Sequence, residues 1–339
     1  MPTTHCNQAA YAAAPPPTAL PRRALCALLI GCLATLAVKA GAETYPNKPV
    51  RVIIPSTPGG TLDIVGRTLA QKLTEQTGQS FYVENRAGAN TVIGGDFVAK
   101  ASADGYTLLF SPSSFTTAPM TMKAAPYSVE KDFLPIALVA KAPLAISVSK
   151  RVPANDLPAL FRLARAQPQG LTFAVGSVAS AGHLATELLA NEARTKFVIV
   201  PYKGSAPAYT DLVGGQIDGF IDPILGSKAY YKSGMLNVIA VTSAKRLPGL
   251  ENVPTVSETV PGFEFYSWYG LWGPAKLPRY IAEKLNHEVN KALAAGMQEK
   301  LAEQGLIATP GSSAQFSHFQ AEDMQRSRKI VIDSNIKVE

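Results

Sequence analysis

From residue 50 onward, short β-branched runs alternate with amphipathic stripes. Val50–Ile54 is a β-branched run stopped by Pro55, which predicts a buried strand. Leu62, Val65, Leu69 and Leu73 then recur at spacings of 3, 4 and 4, the buried face of a helix that Gly78 ends. Residues 81–83 predict a second strand, 93–101 a short helix, Asp104-Gly105 a turn, and 106–110 a third strand. The order strand, helix, strand, helix, strand predicts a parallel, doubly wound sheet.

The apolar stretch 136–148, broken at Lys141-Ala142-Pro143, predicts a crossing between two lobes. A second set follows: a helix over 156–166, strand 171–175, a helix over 180–191, strand 197–200, a helix over 207–213, and strands at 219–221 and 237–242. Residues 248–261 read as loop and 263–272 as an aromatic strand. Pro278 opens a helix with Ile281, Leu285, Val289 and Leu293 on one face, and a last helix spans 313–329. The segment from 264 has little sheet of its own, so it is expected to return to the first lobe. The resulting fold class is α/β, two lobes each carrying a mostly parallel sheet. The expected organisation is a signal peptide at 1–42, lobe 1 at 43–141, lobe 2 at 142–263, and the return segment at 264–339.

The leader assignment rests on Arg22-Arg23, an apolar run over 24–38, and Ala40-Gly41-Ala42, the three parts of a secretory signal. Leu29-Ile30-Gly31-Cys32 offers a rival reading as a lipid-anchor box, and the paired arginines one as a twin-arginine signal. All three cysteines, Cys6, Cys26 and Cys32, lie in this leader, so a chain cut after Ala42 has no disulfide, thiolate metal site or cysteine nucleophile. The leader carries Arg22, Arg23 and Lys39 and no acid, so its removal takes the formal net charge from +7 to +4. No run of basic residues exceeds two, which argues against nucleic acid as a partner. The four histidines are scattered and no carboxylates pair, so neither a metal site nor another cofactor is expected.

The candidate chemistry lies in the loops that follow strands. Thr57-Pro58-Gly59-Gly60-Thr61, with Asp63 just beyond, is a glycine turn opening a helix, with Thr61 as its expected N-cap. Gly88-Ala89-Asn90-Thr91 stands at the matching place after the next strand. Helix beginnings present unpaired N–H groups and the positive end of the dipole, a seat for an anion. Neither loop is a Walker A or a dinucleotide fingerprint. In the second set, Ser177 and Ser180 precede a helix, with Ser180 as N-cap and His183 in its first turn. Lys203-Gly204 and Asp222 each follow a strand of that set. Each feature also has a plainer reading: a cap, a solvated lysine, a buried histidine. A serine hydrolase built on Ser180 and His183 lacks a nucleophile elbow, because position 178 is Val where that motif needs Ser.

Ordered motifs complete the picture. They are Tyr45-Pro46, Pro58-Gly59-Gly60, Glu84-Asn85-Arg86, Asp104-Gly105-Tyr106, His183-Leu184, Pro201-Tyr202-Lys203-Gly204, Val253-Pro254-Thr255 and Trp268-Tyr269-Gly270. With them the chain resembles the Bug receptors, periplasmic solute-binding proteins of the tripartite tricarboxylate transporter system. The resemblance implies a Venus-flytrap fold and a monomer in the periplasm. It also implies a small organic acid as ligand, held by backbone amides and hydroxyls, and permease subunits in the membrane as partners. A sensory receptor using the same cleft is the alternative. Ser56-Thr57 stand where the family often has an aromatic, and Asn90-Thr91 where it often has glycines, so the resemblance does not name the acid.

Overall fold

The computed structural model describes residues 45–336, together with isolated positions 1, 3, 13 and 14. The signal sequence, its cleavage after Ala42 and the Cys32 box lie outside the described residues. Residues 45–336 belong to one compact unit.

In chain order the elements of its first part are β1 (Val50–Ile54), α1 (Thr61–Thr77), β2 (Phe81–Asn85), α2 (Val92–Ala99), β3 (Thr107–Pro112), α3 (Ser114–Thr117) and α4 (Val129–Asp132). They continue with β4 (Phe133–Ser149), α5 (Leu157–Ala166), β5 (Leu171–Val175), α6 (Ala181–Glu192), β6 (Phe197–Pro201), α7 (Ser205–Gly214), β7 (Gly219–Pro223), α8 (Ile224–Lys232) and β8 (Leu236–Val241). The last are β9 (Tyr266–Pro274), α9 (Arg279–Ala292), α10 (Gln298–Glu303), β10 (Ile307–Ala308) and α11 (Ser313–Asp333).

The strands form one ten-stranded sheet ordered β2-β1-β3-β9-β4-β7-β5-β6, with β8 and β10 also pairing β4. β1 runs parallel to β2 and β3, and β5 parallel to β6 and β7. The middle is antiparallel: β9 pairs β3 and β4, and β4 pairs β7 and β8. The sheet is therefore mixed. Helical crossovers enforce the parallel order at both ends, whereas the long connection into β9 lets it return antiparallel.

β4 is 17 residues long and belongs to both halves. Its first part pairs β9 from Phe133↔Pro274 to Pro143↔Tyr266, and its second pairs β7 from Leu144↔Pro223 to Val148↔Gly219. The predicted interruption at Lys141-Ala142-Pro143 is where the strand changes partners rather than where it ends.

Each half has its own apolar core on both faces of the sheet. Leu69, Leu73, Ile54 and Phe110 are buried with α9 residues Ile281, Leu285 and Val289 on one face of the first half. On its other face Phe115, Trp268, Trp272 and Phe316 pack together, with Phe115 and Trp272 centroids 5.0 Å apart. In the second half Phe173, Leu184, Leu189 and Ile221 fill one face, and Phe220, Leu212 and Val238 the other. α11 serves both halves: Phe316 and Met324 join the first core, Ile330 and Val331 the second. The tail expected to return to the first lobe thus straps across to the other. Its stripe of buried residues runs to the end of the helix, so both cores gain from one element.

α6 lies directly on the end of β7. A Cβ added at Gly182 would meet the Ile221 carbonyl oxygen at 2.1 Å, so only glycine allows this approach. Gly182→Ala is expected to lower stability by about 1–3 kcal/mol through overpacking. The midpoint of urea unfolding, at unchanged slope, reads that loss directly.

Candidate functional site

The parallel strands of both halves direct their carboxyl ends at the same gap, the usual ligand position for such sheets. That gap is a cavity of about 830 Å³. The first half lines it with residues 55–62 and with Thr91, Ser113 and Ser114. The second lines it with Ser180, Lys203 to Pro207, Tyr209, Asp222 and Tyr230, while β9 adds Ser267 and Tyr269.

Five helices of eight residues or more begin at this wall: α1, α2, α6, α7 and α8. Four of them, α1, α2, α7 and α8, start without a side-chain cap. The exception is α6, where the Ser180 hydroxyl accepts the His183 N–H at 3.3 Å. Helix starts normally take up their free N–H groups with a cap or water. Here they face a shared space. The expected Thr61 cap is instead the first residue of α1, and extended Gly60 (φ −79°, ψ 170°) is the cap position. Asp63 reaches back to take the Gly59 N–H at 3.0 Å, which leaves the next amides open to the cavity. Gly59 (φ +88°) and Gly204 (φ +105°) occupy left-handed backbone at the two loops facing the gap.

Among the described residues two charged side chains line the cavity, Lys203 and Asp222, both from the second half. Lys203 is exposed and Asp222 half-buried. Burial pushes the Asp222 carboxyl up to about 7, with the Ser205 and Tyr209 hydroxyls pulling against that rise. Tyr209 Oη stands 3.4 Å from Asp222 Oδ2.

The site residues expected from sequence divide into two sets. Thr57, Pro58, Gly59, Gly60, Thr61, Thr91, Ser180, Lys203, Gly204 and Asp222 reach the cavity wall. Asp63, Gly88, Asn90, Ser177 and His183 do not, and each has structural partners. The buried Asp63 carboxylate accepts Arg67 Nε at 2.9 Å and Asn85 Nδ2 at 2.8 Å. Burial alone would raise its pKa, but these bonds and the Gly59 N–H hold it below the usual carboxylate range. Gly88 has φ +133° and lies against Ile93, whose Cδ1 a Cβ would meet at 2.5 Å. Asn90 bridges the two halves: its Nδ2 donates to the Val178 carbonyl at 2.8 Å, and the Ser177 hydroxyl donates to its Oδ1 at 3.0 Å. The Thr117 hydroxyl donates to the Ala179 carbonyl at 2.7 Å, making the same crossing.

His183 is buried, and its Nδ1 accepts the Ala179 N–H at 3.0 Å. Its Nε2 lies 3.7 Å from Glu187. The imidazole therefore holds the 177–180 turn, and neither ring nitrogen is hydrogen-bonded to the Ser180 hydroxyl, so the pair is not arranged as base and nucleophile. Ser113, Ser114, Ser205, Ser267, Tyr209, Tyr230 and Tyr269 also line the cavity, beyond the residues expected from sequence. Ser205 had a readable signal, since it follows Gly204 at the start of a helix. Ser267 and Tyr269 lie within an aromatic run that reads as core.

The raised Asp222 carboxyl predicts a pH effect on stability. Its folded pKa is about 7 against an ordinary carboxylate value of 3.8, so the folded state holds an extra proton between them. Stability from this group is full below the lower value and is lost as pH rises toward the higher. The whole shift sets a ceiling of about 4 kcal/mol, and solvent at the cavity mouth reduces the expected loss between pH 5 and 8 to about 1–2 kcal/mol. Urea unfolding of Asp222→Asn should show a smaller decline over that interval than the wild type.

Comparison with known proteins agrees with this geometry. Residues 65–336 match the family described as Tripartite tricarboxylate transporter family receptor. Protein BugT of Bordetella pertussis is 36% identical over 315 residues, covering 90% of this chain and 95% of its own. A structure from R. palustris, solved with adipate, superposes with a TM-score of 0.79 at 33% identity, covering 86% of this chain and 99% of that one. Periplasmic binding protein BugD gives 0.77 at 30% identity, with 86% and 99% covered. The chain belongs to the tripartite tricarboxylate transporter receptor family, the Bug proteins among them.

Proposed function

We propose that the protein is an extracytoplasmic solute-binding protein. It captures a small organic acid in the cavity between its halves and delivers it to permease subunits in the membrane. The observation that carries this reading is the set of four uncapped helix beginnings facing one cavity. A carboxylate seated there accepts N–H groups that have no other protein cap, and each such bond to an anion is worth about 1.5–3 kcal/mol in a closed site. The adipate held by the R. palustris structure supports a carboxylic acid as the ligand class.

The first half is assigned Thr57, Gly59, Gly60, Thr61 and Thr91, and the second Ser180, Lys203, Gly204 and Ser205; Gly59 and Gly204 serve as turn residues, since their N–H groups go to Asp63 and to the Gly176 carbonyl. Closure about β4 and the segment entering β9 would bring the two sets onto one ligand. The family places such receptors in the periplasm, and a secretory leader fits that location. A monomer suffices, because both walls of the cavity come from one chain.

Two measurements test the reading. In a thermal-shift panel of mono- and dicarboxylates, an acid at 100 times its Kd should stabilise the protein by about 2.7 kcal/mol, and silence across the panel would refute it. Ser205→Glu puts a fixed carboxylate in the first turn of α7. An acid at that position favours the helix through its dipole but faces Asp222, so the free protein should melt somewhat lower while staying folded by circular dichroism, and the new carboxylate occupies the proposed anion seat. Binding of the best acid should weaken at least tenfold by calorimetry.

A further inference from the structure

Asp222 is at odds with a cavity built for anions. It is the only acid among the described residues on the cavity wall, and no cation lies within ion-pair distance of it among the described residues. The plain explanation, a cap for the helix that follows, does not hold: α8 begins at Ile224 with no side-chain cap. Space is reserved for it as well. A Cβ at Gly226 would lie 3.0 Å from Asp222 Oδ2 and 2.8 Å from the Tyr209 ring, so glycine there lets carboxylate and phenol lie over the helix start.

The groups that face Asp222 are hydroxyls. Ser205 and Tyr209 come from α7, and Tyr269, whose own ionisation Asp222 opposes, from β9. Lys203 and Tyr230 complete that end of the cavity. A carboxylate held back from water and met only by the Ser205 hydroxyl and a long Tyr209 contact has no charged or N–H donor. Accordingly we propose, on the footing of the carboxylate-receptor reading above, that Asp222 makes the second-half end of the cavity an acceptor subsite, selecting an organic acid that carries a hydroxyl or ammonium donor besides its carboxylate.

The alternative cargo is a plain dicarboxylate. Its second charge would meet an ionised Asp222 and be repelled, unless one proton is shared between the two groups. A neutral Asp222 carboxyl supplies that proton itself, so the discrimination depends on pH. Burial that lifts this carboxyl toward neutrality places the change between about pH 6 and 8.

Calorimetry on the mature protein tests this with matched pairs of acids, each an unsubstituted dicarboxylate and its 2-hydroxy or 2-amino derivative, over four to six carbons. At pH 8 the best derivative should bind at least tenfold tighter than its parent, and the ratio should shrink at pH 6. In Asp222→Asn, whose amide offers N–H donors at every pH, the parent should bind tighter than to wild type at pH 8 and the ratio should lose its pH dependence. Circular dichroism checks that the variant is folded, and the wild-type ratios stand without it. Parents binding as well as derivatives at pH 8, or a ratio unchanged by Asp222→Asn, would overturn the acceptor subsite while leaving the carboxylate reading intact. Binding of no acid in either series would remove both.

Discussion

The continuous pairing of β4 is the constraint on which the remaining structure depends. One strand of 17 residues, about 56 Å long at the usual rise, is hydrogen-bonded to β9 in one half and to β7 and β8 in the other. It fixes two parallel sub-sheets so that their carboxyl ends open on a common gap. Every helix that follows a parallel strand then begins at that gap. The cavity results from topology before any side chain is chosen, and the side chains tune it.

The chain then keeps the helix beginnings free. Gly60, Gly204 and Pro223 hold cap positions where Ser, Thr, Asp or Asn would satisfy the first amides internally. Asp63 takes up the Gly59 N–H and the Arg67 side chain, which stiffens the first loop without filling the seat. His183 does the same for the 177–180 turn through the Ala179 N–H. Asn90, with Ser177 and Val178, ties the two loops across the gap. Three successive residues there, Ala89, Asn90 and Thr91, have φ of 45°, 49° and 76°. Side-chained residues enter that region at a cost, and the bonds across the gap help to offset it.

Much of this was legible in the residues. The runs at 50–54 and 171–175 are strands over the predicted span, because a β-branched run bounded by turn residues has few other fates. The glycine turns before α1 and α7 and the Ser180 cap were visible for the same local reason. What stayed hidden depends on distance in the chain. Nothing local marks Asn90 as the partner of residues 87 and 88 positions away. α8 was missed because Gly226 and a run of small and aromatic residues obscure its stripe, although Pro223 ahead of it is a helix-start signal. The two-core role of α11 needs both halves in view. Ser113 and Ser114 reach the cavity only because β3 ends beside β9.

The central claim is that main-chain amides at the helix beginnings, rather than a basic side chain, receive the acid. An amide-resolved NMR titration of the ¹⁵N-labelled protein tests it most directly. Addition of a binding carboxylate should move the N–H resonances of Gly60, Thr61, Ser205 and Ala206 downfield, as expected for amides that gain a charged acceptor; the Gly204 N–H, already given to the Gly176 carbonyl, should respond least. Saturable binding that leaves those four resonances in place, with changes confined to the Lys203 side chain or to residues outside the cavity, would contradict the account.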